Sequence, residues 1–92
     1  MNIQSIETAE DAVKFAREEF ERRNIDWNIY ELDSVLQITD EIITKLKLKN
    51  RKLGWDVDFI LKVPEGFETR YLFLHIDTSL GTCEIVQHIC TQ

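Results

Sequence analysis

Residues 71–90, "YLFLHIDTSLGTCEIVQHIC", contain both histidines and both cysteines of the chain, together with Asp77 and Glu84. Imidazole, thiolate and carboxylate groups ligate transition metals. The same groups relay protons or attack as nucleophiles when an oriented partner activates them. Twenty residues therefore carry the means for a metal centre or an acid–base pair. Whether they meet depends on the strands that hold them.

The stretches "TRYLFLHID" and "TCEIVQHIC", joined by "TSLG", alternate as a β-hairpin does, and "GWDVDFILKV" alternates before them. A three-stranded antiparallel meander follows, with "PEGFE" as the first turn. If "TSLG" closes the hairpin tightly, Asp77 faces Thr82, His75 faces Glu84, Phe73 faces Val86 and Tyr71 faces His88. Pairing Val63 with Arg70 then sets Leu61 against Leu72, Phe59 against Leu74 and Val57 against Ile76. This register collects Val57, Phe59, Leu61, Leu72, Leu74, Ile76, Cys83, Ile85 and Ile89 on one face, the expected core.

The opposite face then carries the rows Asp56–Asp77–Thr82, Asp58–His75–Glu84, Ile60–Phe73–Val86 and Lys62–Tyr71–His88, with Cys90 beyond. Asp58, His75 and Glu84 form a carboxylate–histidine–carboxylate row that could hold a divalent metal or move a proton. Its bland alternative is a histidine held by salt bridges on a wet sheet. No Cys-x-x-Cys, His-Glu-x-x-His, glycine-rich phosphate loop or Gly-x-Ser-x-Gly elbow supports the sharper reading. Cys83 points to the core and Cys90 stands near the end of the chain, so neither is expected to act as a nucleophile. Seven positions apart on one strand, they face opposite ways and cannot bond to each other.

Ile60, Tyr71, Phe73 and Val86, with His88 beside them, are apolar or aromatic where an outer sheet face should be wet. Asp56, Asp58, Asp77, Glu84 and Lys62 ring them, the anatomy of an interface with an apolar centre and a polar rim. The expected occupant is a protein partner or a second copy; the bland alternative is that residues 25–49 fold across the patch.

The N-terminal element is the clearest helix. Over residues 8–23, Thr8 caps, Glu10 and Asp11 fill the first turn, Arg22 and Arg23 the last, and Asn24 stops it. Ala9, Ala12, Val13, Ala16 and Phe20 share one face, and their small side chains allow close approach to a sheet. Residues 25–49 read two ways: as strands over 27–38 and 42–49 with a bend at Thr39-Asp40, or with a second short helix over 39–48. The expected fold is α+β, one N-terminal helix on a three- to five-stranded antiparallel meander, in a single domain of 92 residues.

Charge narrows the partners. The net charge is −6, but residues 42–54 hold five bases (Lys45, Lys47, Lys49, Arg51, Lys52) and no acid. That run is a secondary contact candidate, or simply a solvated turn. Overall acidity argues against a nucleic-acid partner, since phosphate contacts need a basic surface. No apolar run spans a bilayer and no secretory leader is visible, so a cytoplasmic location with free thiols is expected. No cofactor is implied.

A helix followed by a meander resembles the cystatin-like arrangement. Within it, "EDAVKFAREEF", "WDVDFILK" and "LHIDTSLGTCEIV" resemble a PepSY-type domain, with Asp77 and Gly81 at that family's Asp and Gly before the last strand. Residues 25–52 have no counterpart there. The resemblance implies an inhibitory, prodomain or binding module, usually outside the cytoplasm. The Gln-x-Val-x-Gly hairpin of cysteine-protease inhibitors is absent. The function expected is a small acidic, non-enzymatic protein-binding module. Two alternatives are a metal binder or metal-dependent enzyme at Asp58, His75 and Glu84, and a small-ligand carrier with Trp55 and Phe59 lining a cavity between helix and sheet.

Overall fold

A computed structural model describes residues 2–49, 53–63 and 68–91, with the side chains of 62, 63 and 91 left aside. Helix α1 (Ala9–Arg22) precedes strand β1 (Glu31–Ile38), helix α2 (Asp40–Lys45) and strands β2 (Gly54–Val63), β3 (Glu68–Asp77) and β4 (Thr82–Thr91). The four strands form one antiparallel sheet in the order β1-β2-β3-β4. The fold is thus α+β, a helix packed on a four-stranded meander.

Local chemistry sets the ends of α1. Thr8 Oγ1 accepts from the Asp11 N–H at 3.1 Å, and the Asp11 carboxylate accepts in return from the Glu7 N–H at 3.2 Å. Asn24 closes the helix in the left-handed conformation, φ 59°. Ala12, Phe15, Ala16 and Phe20 go inward against Trp55, Val57, Phe59, Leu72, Leu74 and Ile76. The Phe20 ring meets Phe59 edge-on, centroids 5.4 Å apart.

Glu19 is a buried charge on that helix, 7% exposed. Its carboxylate takes hydrogen bonds from Arg22 and, at 2.9 Å, from Arg23 Nε. The Arg22 hydrogen bond, with help from Arg23, holds its pKa below the usual value of 4.5.

Residues 25–49 combine the two expected readings. A short 3-10 turn over Trp27–Ile29 leads into β1, as in the strand reading. Beyond Ile38 the second expected strand is replaced by α2. Thr39 Oγ1 accepts from the Ile42 N–H, Asp40 and Glu41 open the helix and Lys45 ends it. A capped turn with charges matched to its dipole prevails over the alternation of "KLKLK".

The hairpin β3–β4 has the expected register: Asp77 opposite Thr82, His75 opposite Glu84, Phe73 opposite Val86 and Tyr71 opposite His88. Its loop closes through the Gly81 N–H to the Asp77 carbonyl at 2.9 Å, with Gly81 at φ 69°. Between β2 and β3 the expected register is off by two. Val63 pairs with Glu68, so Leu61 faces Arg70, Phe59 faces Leu72, Val57 faces Leu74 and Trp55 faces Ile76. A slip of two keeps every side chain on its face, so the division into inner and outer faces survives while the rows across the strands change.

The helix also sits off centre, its contacts concentrated on β1 and β2. Ile89, expected in the core, is therefore 56% exposed, Cys83 and Ile85 are only partly buried at the core's margin, and Leu61, also expected in the core, is only half-buried.

Candidate functional site: the open sheet face

The observed register builds the outer face as three rows across four strands: Leu36–Asp56–His75–Glu84, Ser34–Asp58–Phe73–Val86 and Glu31–Ile60–Tyr71–His88. A fourth pairs Lys62, Thr69 and Cys90. Helix α1 packs on the other side of the sheet. The expected apolar row Ile60–Phe73–Val86 is not formed, since Asp58 stands opposite Phe73 and Ile60 opposite Tyr71, but Tyr71 stacks on Phe73, centroids 5.5 Å apart and planes 19° from parallel. His75 extends the stack beyond Phe73 at 6.4 Å, and His88 lies beside Tyr71 at 6.3 Å. Four aromatic rings thus pack along one side of the sheet, with Val86 36% and Leu36 43% exposed next to them.

Asp56, not Asp58, is the carboxylate that meets His75. Its Oδ1 lies 2.8 Å from His75 Nδ1. Asp58 instead faces Phe73, and its Oδ2 accepts from Ser34 Oγ at 3.1 Å. The expected row Asp58–His75–Glu84 is therefore replaced by Asp56–His75–Glu84. Among the described residues, no group of three histidine, cysteine or carboxylate side chains is placed to hold a metal ion.

Asp58 is the unusual acid of the face. Its Oδ1 is shielded from solvent and has no hydrogen-bond partner. Burial pushes its pKa above the usual 3.8 against the Ser34 hydrogen bond, and neighbouring Asp56 adds to the rise. A carboxylate with one unsatisfied oxygen in an apolar row is costly unless something donates to it.

The remaining candidates fall elsewhere. The Cys83 thiol receives an N–H from Arg23 at 3.8 Å, yet burial and nearby Glu19 raise its pKa, the reverse of an activated nucleophile. Lys45 ends α2 beside Glu41, and Lys47 and Lys49 are exposed after it. Arg51 and Lys52 lie outside the described residues. Phe59, 1% exposed, is enclosed by the core, and Trp55 packs in the same cluster. Among the described residues, a sizeable groove on the helix side lies between α1 and β1. It holds about 680 Å³, is lined by Val13, Arg17, Trp27, Leu32 and Val35, and Arg17 lies 4.8 Å over the Trp27 ring.

Ser34 and Leu36 of this face, and the contact of Asp56 with His75, escaped sequence reasoning. A β-bulge between Leu32 and Ser34 explains the first two. It shifts the alternation by one, so Leu32 and Val35 turn inward while Leu36 turns outward. The resulting spacing of apolar residues imitates a helix. Searches with family models, against curated proteins and against solved structures find no match to this chain. What the geometry defines is a class of architecture, a two-layer α+β fold with one layer of helix and one open sheet face.

Proposed function

We propose that the protein is a small binding module that engages a protein partner through the outer sheet face, with Ile60, Tyr71, Phe73, Val86 and His88 at the contact. The observation that carries this reading is the Tyr71–Phe73 stack on a face opposite the helix, in a chain whose core is already filled from the other side. Aromatic rings on a rigid sheet bury large area at little entropic cost, the property of residues that dominate binding. Glu31, Asp56, Asp58 and Glu84 surround them, and the three rows that span all four strands hold no lysine or arginine, which favours a partner that presents cations.

Phe73→Asp tests it. The variant is expected to keep the wild-type circular dichroism spectrum and cooperative unfolding while losing the complex formed by wild-type protein in host extract. Loss of the fold instead would show that the ring is internal, and retention of the complex would remove the face from the contact.

A further inference from the structure

The two edges of the sheet are protected unequally. β1 carries a bulge between Leu32 and Ser34 and the acids Glu31 and Asp33, devices that discourage pairing with another chain. β4 has no such bulge. Its ten residues, "TCEIVQHICT", run without proline, lysine or arginine, pair with β3 residue for residue from Thr82 to Thr91, and carry one acid, Glu84. Ile89 and Val86 are exposed along it, one on each face. The helix, displaced towards β1 and β2, leaves room beside it. A long, regular, nearly uncharged edge is a template for strand addition.

We propose that β4 pairs antiparallel with β4 of a second copy about a two-fold axis through Val86, joining two four-stranded sheets into one of eight strands. Strand chemistry selects both the occupant and the register. Side chains directly opposite each other must lie on the same face, so the two residue numbers sum to an even value. A two-fold at Ile85 would oppose Glu84 with Val86, and one at Gln87 would oppose Glu84 with Cys90. The axis at Val86 alone sets Glu84 against the partner's His88, twice by symmetry, an acid facing an imidazole at both ends of the pair. Val86 then meets its own copy in the apolar row, and Cys83 meets the partner's Ile89 on the helix side, covering that exposed side chain. Three strand spacings of about 4.8 Å separate the two Tyr71–Phe73 stacks, placing them roughly 14 Å apart on one continuous face.

This inference rests on the edge and not on the face proposed for binding: a monomer would leave that reading intact, and Phe73→Asp is expected to remain dimeric. Light scattering during size exclusion is expected to give twice the 10.9 kDa of one chain. His88→Glu, which opposes like charges at both ends, is expected to raise the dimer dissociation constant about tenfold or more, and adding Glu84→Lys to restore it. A second measurement is independent of charge. In a Cys83→Ser, Cys90→Ser background, Val86→Cys is expected to form an intermolecular disulfide on mild oxidation, whereas Gln87→Cys does not. A wild-type monomer at about 100 μM, well above the micromolar range of a specific contact, would overturn the proposal. So would a dimer indifferent to His88→Glu, or cross-linking through position 87 in preference to 86.

Discussion

Phe59 and Phe73 are the same residue type on neighbouring strands, one facing the helix and the other facing away, and truncating each to alanine gives a controlled comparison. Phe59 is 1% exposed, and its ring abuts Phe20 at 5.4 Å. Removing it strips a buried aromatic and leaves a cavity that α1 and β3 cannot close without breaking their own packing, a loss of about 3–5 kcal/mol. A chain of this size has about 5–14 kcal/mol in total, so Phe59→Ala takes a large share of it. Phe73 is half-buried, and its defined contacts are the stacked rings of Tyr71 and His75 and the cross-strand neighbours Asp58 and Val86. Losing an aromatic stack together with about half of a phenyl ring's burial costs about 1.5–2.5 kcal/mol. Urea unfolding followed by fluorescence of Trp27 and Trp55 measures both values in one host. Equal losses for the two variants would refute the reasoning, because Phe73 would then be packed as deeply as Phe59 and the outer face would not be open.

Two further predictions concern positions that the fold constrains in other ways. Glu19 titrates below its ordinary pKa in the folded chain, so its contribution is complete above about pH 5 and fades as pH falls through the folded value. Glu19→Gln is expected to lower stability at pH 7 by at most about 1 kcal/mol and to flatten the acid limb of a melting-temperature profile; an unchanged limb would contradict that origin. At Gly54 an added Cβ would lie 1.7 Å from the Ile76 carbonyl oxygen, closer than backbone atoms tolerate. Gly54→Ala is expected to cost about 1–3 kcal/mol and to depress the melting temperature by several degrees, and an unchanged melting curve would disprove the close approach.

The fold was readable where short-range rules fix geometry. Thr8, Asp11 and Asn24 set the ends of α1, and a four-residue loop ending in Gly81 fixed the pairing of β3 with β4. It was unreadable where long-range placement decides. Alternation tells which side of the sheet a residue occupies but not its row, so the β2–β3 register was displaced by two and Asp58 exchanged places with Asp56 beside His75. The apolar face of α1 shows that it covers a sheet, not which strands it covers, and Ile89 was left outside by a helix that favours β1 and β2. At Leu32–Leu36 the bulge broke the period of two. The aromatic centre of the outer face, by contrast, was evident from Tyr71, Phe73, Val86 and His88, because the β3–β4 register that joins them needs no distant information.

Hydroxyl-radical footprinting of Tyr71 and Phe73 tests the open binding face most directly, with Phe59 as the internal control on the opposite side of the sheet. In the isolated protein both outer rings are expected to oxidise far faster than Phe59, and both are expected to become protected when the partner from host extract is bound. If Tyr71 and Phe73 are as protected as Phe59 in the isolated protein, the face is covered and the account is wrong.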